Sequence, residues 1–208
     1  MEPGGTDRGG RGGKTGKITL NFLKKLRSPH LLRQQLGGLY FLALLILINP
    51  TFTAPARRWI FPSGALFFIL GLAGRVWSSG FLVKNDLLTT RGPYGRVRNP
   101  IYVSNILVGA GLVLMNGYYW LVIFLILLYA ACYLPGMRVE EDNLRRRYGP
   151  AFETYARTVP LIWPRLKVAE GYGGGSWRIR AYTENKEIYV TVGLLMGLGT
   201  MFFRRIAA

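Results

Sequence analysis

Five apolar stretches, near residues 36–50, 60–79, 100–116, 118–137 and 187–203, divide this chain. Each lies near the roughly 17–25 residues a helix needs to cross a bilayer. A backbone in hydrocarbon must satisfy its own hydrogen bonds, so such stretches read as helices. The expected fold is an all-α integral membrane protein with about five transmembrane helices. Asn49-Pro50 ends the first stretch, and Phe61-Pro62-Ser63 opens the second with a proline suited to a first turn. Only Asn116-Gly117 joins the third and fourth stretches, which are expected to form a tight antiparallel hairpin.

Charge sharpens this picture. The formal charge is +17 over 208 residues, and half of the residues are hydrophobic. The cations sit between apolar runs rather than on a polar surface studded with aromatics, which argues against nucleic acid and for membrane headgroups as the counter-charge. One cysteine, Cys132, and one histidine, His30, allow neither an intrachain disulfide nor a nitrogen and sulfur metal cluster, so no metal is expected. Cys132, inside an apolar run, reads as a small buried hydrophobe.

Residues 1–16 are Gly-rich and basic with nothing apolar to bury. They read as a disordered tail, and no apolar core follows at the distance a signal peptide requires. In residues 17–35, Ile18, Phe22 and Leu26 recur at helical spacing among Lys17, Lys24, Lys25 and Arg27, the pattern of an amphipathic interfacial helix. Residues 36–208 are expected to form a single membrane domain with a motif core at 86–166 and an extra C-terminal span at 187–203.

If the spans alternate, the tail, the loop carrying Lys84, Arg91, Arg96 and Arg98, and the long segment after the fourth span lie on one basic side. That side is cytoplasmic by the positive-inside rule, which also places the amino terminus there. The holding membrane would be a bacterial inner membrane, or the endoplasmic reticulum in a eukaryote. Segments 86–102 and 138–165 then meet at one end of one hairpin, within reach of a soluble cosubstrate and of a lipid-like substrate arriving sideways.

Glu140 and Glu141 admit two readings. They belong either to a solvated helix end, with Glu141 pairing to Arg145 four residues on, or to a site where one carboxylate takes ribose hydroxyls or a cationic cofactor while the other braces it. In Arg98-Asn99-Pro100-Ile101-Tyr102, proline fits N1 and makes Asn99 the N-cap, so the first backbone N–H groups form an anion site; Arg and Tyr are equally ordinary interfacial anchors. Gly109-Ala110-Gly111 either permits close helix packing or opens a slot toward the hairpin partner. Tyr148, Tyr155, Pro160, Trp163, Pro164 and Arg165 form either an interfacial belt or a lid folded back over the mouth, since the prolines oppose one continuous helix.

Together, Leu88-Thr89-Thr90-Arg91-Gly92-Pro93-Tyr94, Arg98-Asn99-Pro100-Ile101-Tyr102, Gly109-Ala110-Gly111, Glu140-Glu141 with Leu144, Tyr148-Gly149, Tyr155 and Val159-Pro160 resemble the membrane methyltransferase family that includes isoprenylcysteine carboxyl methyltransferase and the phospholipid methyltransferases. The resemblance covers roughly residues 60–166. It implies S-adenosylmethionine as cofactor, in a cytoplasmic pocket at the end of the span 3/span 4 hairpin. By the same resemblance Asp86, Leu87, Leu88, Thr89, Tyr94, Asn99, Pro100, Ile101, Tyr102, Gly109, Gly111, Glu140 and Glu141 bind the cofactor, and Arg98 and Arg138 face the substrate. Asn99 stands where the family often has His, which removes a titratable group.

A sulfonium methyl is already activated, so the enzyme has chiefly to align a nucleophile and exclude water. A carboxylate acceptor needs no general base, and the expected acceptor is a lipid-like or isoprenylated molecule. Two rival classes are a nicotinamide-dependent membrane reductase, whose pyrophosphate the paired acids would repel, and a non-enzymatic membrane scaffold.

Overall fold

The computed structural model describes residues 54–83, 87–117 and 121–207, all within one compact unit, Phe41–Ala208. The tail, the interfacial helix, the first apolar stretch, His30, Asp86 and the side chain of Cys132 lie outside the described residues. The described elements are α1 (Ala54–Ser79), a 3₁₀ turn (Gly92–Gly95), α2 (Pro100–Met115), α3 (Leu121–Tyr148), α4 (Pro150–Thr158), α5 (Ile179–Glu184) and α6 (Glu187–Ala207). No strand occurs among the described residues; an isolated parallel bridge links Arg91 and Gly173.

Two helices carry segments long and apolar enough to cross a membrane, Trp59–Ser79 and Val122–Tyr148. The helix α2 is shorter, 16 residues, or about 24 Å at 1.5 Å per residue. Pro100 starts it, and Asn116 and Gly117 end it, Gly117 at φ +86° where a side chain would be strained. Two boundaries differ from expectation. The helix α1 begins at Ala54, so Pro62 lies inside it rather than in its first turn, and the Ser63 hydroxyl bonds back to the Trp59 carbonyl at 2.8 Å. The helix α3 does not stop near residue 137 but continues to Tyr148, lifting the double Glu onto a helix face.

The main partner of α2 is α1, with far fewer contacts made to α3. Gly64 and Gly71, two turns apart on α1, and Gly111 on α2 let the backbones meet. A Cβ on Gly71 would lie 2.7 Å from the Ser104 carbonyl oxygen, and one on Gly111 2.5 Å from the Phe68 nitrogen. This is the small-residue interface expected where hydrocarbon removes any hydrophobic drive between helices. Phe61, Phe68, Val108, Leu112 and Met115 fill the space around it, joined by Leu194 and Met201 of α6. A second cluster joins Phe152, Tyr155 and Val159 to Ala169, with Leu88, Leu144 and Tyr148 against it.

Gly111→Ala is expected to force the α1–α2 backbones apart and cost about 1–3 kcal/mol, the range for overpacking. Gly193→Ala, where a Cβ meets nothing within 4 Å, should leave stability unchanged or slightly raised. Thermal melts of both variants in detergent check the contrast.

Candidate functional site

The apolar helix α3 runs unbroken into a charged end, so Glu140, Leu144 and Arg147 come to one face at helical spacing. That face looks across a cavity of about 320 Å³ toward the first turn of α2. Leu87, Leu88, Thr89 and Tyr94 wall it from the preceding loop, Arg98, Asn99, Pro100, Ile101 and Tyr102 from the start of α2, and Phe152 and Tyr155 from α4. The size is that of a small-molecule site.

Arg98 fixes the geometry. Its Nε donates to Glu141 Oε1 at 2.6 Å, and a terminal nitrogen donates to the carbonyls of Ala156 and, at 2.8 Å, Val159. Its backbone N–H donates to the Pro160 carbonyl at 2.8 Å. Both side chains of the ion pair are mostly buried. The two acids therefore divide. Glu141 is committed to Arg98, whereas Glu140, a hundred degrees round the helix, is exposed, with Oε2 3.5 Å from the Tyr102 hydroxyl. The expected Glu141–Arg145 pair does not form; Arg145 bonds Asp142 at 2.9 Å and Glu153 at 2.5 Å instead.

Beyond α4 the chain folds back along the 90–98 turn. Arg165 N–H donates to Arg96 O at 3.0 Å, Ala169 N–H to Gly95 O at 2.9 Å, and Gly173 N–H to Thr90 O at 3.0 Å. Gly95 permits this approach, because a Cβ there would lie 2.6 Å from the Gly173 nitrogen. The Tyr155 hydroxyl donates to the Tyr94 carbonyl at 2.8 Å. Burial pushes the Tyr94 hydroxyl well above its ordinary pKa, helped by Tyr155, Glu140 and Glu187 nearby. Burial likewise raises Tyr155, against an opposing pull from Arg98. Both stay neutral through the physiological range.

Most residues singled out from the sequence gather at this cavity: Leu87, Leu88, Thr89, Tyr94, Arg98, Asn99, Pro100, Ile101, Tyr102, Glu140 and Glu141. Asn99 is the N-cap of α2, but its side chain makes no capping bond and reaches the Leu161 carbonyl at a long 3.5 Å. Three others do not line it. Gly111 is pressed against α1, and Gly109 faces the hairpin partner with no open slot, since a Cβ there would meet Leu125 at 3.0 Å. Arg138, two residues before Glu140, is exposed on another side of α3. Arg98 lines the cavity as a clamp, its guanidinium taken up by protein acceptors rather than held out to a substrate. Asn143, Arg147 and Phe152 also line the cavity without having been singled out. The spacing of Asn143 and Arg147 from Glu140 identifies those two once α3 is extended through Tyr148, whereas Phe152 arrives from α4.

Residues 61–151 match the sequence model of the phospholipid methyltransferases, a stretch that holds the glycine interface and most of the cavity wall. Over that core, the chain is similar to the phospholipid methyltransferases. It is 32% identical over 133 residues to the cobalt-zinc-cadmium resistance protein CzcN of Cupriavidus metallidurans, covering 61% of each chain. It is 36% identical over 107 residues to the nickel-cobalt-cadmium resistance protein NccN of Alcaligenes xylosoxydans xylosoxydans, covering 50% of each. The chain thus spans between half and about three-fifths of the length of these curated relatives. No solved structure matches it.

Arg98→Met would strand the Glu141 carboxylate and the carbonyls of Ala156 and Val159. The expected cost is about 3 kcal/mol, the lower range for breaking a buried pair from one side, with faster proteolysis in the 156–170 segment. Chemical denaturation and limited proteolysis check it. The tyrosines set a second expectation. Their folded pKa values lie above the unfolded value of about 10, so the native state binds more protons at high pH. Their contribution is full below about pH 10 and declines above it. Tyr155→Phe, measured across pH 8–11, should flatten that decline.

Proposed function

We propose that the protein transfers a methyl group from S-adenosylmethionine to a carboxylate on a lipid-like or isoprenylated acceptor, at the cytoplasmic face of a membrane. The observation that carries the reading is the uncommitted-by-Arg98 acid, Glu140, beside the Tyr102 hydroxyl and across from the first turn of α2, in a cavity built mostly from the family-matched core.

The residues present fit the cofactor. The first turn of α2, opened by Asn99 and Pro100, offers backbone N–H groups to a carboxylate. Glu140 suits ribose hydroxyls or a positive charge, and Leu87, Leu88 and Ile101 supply apolar wall for a flat ring. When bound, the cofactor supplies an electrophilic methyl on a sulfonium. The chain's part is to orient, to exclude water and to keep its own groups from competing. Arg98 does the first by fastening α4 and the returning segment over the cavity. Neutral Tyr94 and Tyr155 do the last, being poor nucleophiles while protonated.

A carboxylate acceptor is favoured because it needs no base. No His or Lys is among the described lining residues, and Glu141 is engaged by Arg98. The positive charge of Arg147 on the cavity wall suits such an acceptor. The cytoplasmic assignment rests on the basic segments that flank the cavity. The two relatives are named for metal resistance, and that theme extends to this chain through charge: methylating a membrane carboxylate removes a negative charge that would attract divalent cations.

Calorimetry in lipid nanodiscs tests the reading. Saturable binding of S-adenosylmethionine is expected, weakened at least tenfold, or about 1.4 kcal/mol, by Glu140→Gln, with no binding of NADPH. Labelled cofactor should then methylate a prenylated cysteine carboxylate in preference to phosphatidylethanolamine. Binding of NADPH alone, or of neither cofactor, would sink the proposal.

A further inference from the structure

The helix α6 lies beyond the family-matched core, yet a buried ion pair ties it to the helices that carry the cavity. Arg75, one turn before the end of α1, places one terminal guanidinium nitrogen against both Glu187 carboxylate oxygens, at 2.9 and 2.7 Å. Its other terminal nitrogen donates to Asn105 Oδ1 on α2. Arg75 and Glu187 are both buried, and an arginine inside a membrane-length helix is costly unless it is paired.

The contacts continue with one polarity. Asn105 Oδ1 accepts from Arg75, and the single proton of the Tyr129 hydroxyl on α3 goes to the Tyr102 carbonyl, so that in its hydrogen bond with Asn105 the hydroxyl accepts from the amide N–H. That hydroxyl, receiving from Asn105, donates its own proton to the Tyr102 carbonyl at 3.1 Å. The rings reinforce the link: Tyr129 stacks on Tyr133 with centroids 4.0 Å apart, and Tyr133 meets the Tyr102 ring edge-on at 5.5 Å. Tyr102 is the residue whose hydroxyl faces Glu140.

We infer that Arg75 is a positioning residue of the pocket: clasped to Glu187 of α6, it holds Asn105 and Tyr129, and through them the Tyr102–Glu140 edge. The inference rests on the cofactor reading above for its binding readout, and gives α6 a part in the site. A bridge that only joined α1 to α6 would need Glu187 alone. Here the same guanidinium also sets the amide orientation from which the path to Tyr102 begins, and a planar fork with fixed donors does this as a lysine would not.

Two variants of the full chain in nanodiscs test it. Tyr129→Phe removes the bond to Tyr102 and leaves the ion pair in place. Arg75→Lys keeps a charge for Glu187 but loses the fork that also serves Asn105. Both are expected to bind S-adenosylmethionine at least fivefold more weakly than the parent, with Tyr129→Phe melting as the parent does. Both should also speed amide hydrogen exchange at residues 99–106 without cofactor, a readout that stands even if the parent binds no S-adenosylmethionine and the functional reading fails. Exchange at 99–106 unchanged in Tyr129→Phe would overturn the inference. So would parent-like cofactor binding in both variants, or a lower melt in Arg75→Lys with exchange raised uniformly along the chain.

Discussion

The Arg98 guanidinium is the joint on which the cavity depends. Two separate pieces of chain, the charged end of α3 and the end of α4 with the residue just after it, present three acceptors to this one side chain at the start of α2. A lysine could hold one of them as a point charge; the planar fork holds all three in fixed directions. Because the pair with Glu141 is mostly shielded from water, it resists screening and makes the closed arrangement a matter of geometry rather than of salt. It also separates the chemistry of two adjacent acids. One carboxylate completes a clamp, and its neighbour, turned about a hundred degrees by the helix, is left beside the cavity.

The glycine contacts between α1 and α2 set the frame in which that joint works. Backbones this close fix the axial register of α2, because Gly111 against Phe68 and Gly71 against Ser104 fit in one alignment only. The first turn of α2, and with it the residues from Asn99 to Tyr102, is therefore placed by a packed interface that runs from about one to three turns further along the helix. The third partner, α3, is less tightly held along its apolar length and is instead tied at its charged end. A cavity formed between one rigid and one end-tethered helix can admit a ligand without disturbing the core.

Much of this was legible in the sequence because the signals were local. Pro100 after Asn99 marks a helix start whatever surrounds it, and paired acids ending an apolar run mark a membrane edge. What was not legible depended on contacts distant in sequence. Arg98 looked like a donor for substrate, since nothing local tells that Ala156 and Val159 will offer it carbonyls 58 and 61 residues away. The glycines of α2 admitted both close packing and a ligand slot because their use depends on which neighbour comes close, and α1 takes the face that Gly111 clears. Arg75 gave a signal of its own, a charge inside an apolar span. Its meaning became visible only with Glu187, 112 residues on, beside it.

Two arginines thus tie distant segments to the helices that carry the cavity. Arg98 draws in the segment that follows the family core, and Arg75 draws in the helix that ends the chain; each spends a buried carboxylate to do so. Burying an ion pair is rarely the cheapest way to gain stability, since apolar side chains of similar volume often serve as well or better. Finding two such pairs on the helices that carry one cavity argues that direction, not stability, is what they provide. An apolar contact would leave α6 and the segment after α4 free to slide by a fraction of a turn, whereas hydrogen bonds of fixed polarity allow one alignment. Alignment is the requirement that the proposed methyl transfer, from an already activated donor, would leave to the protein.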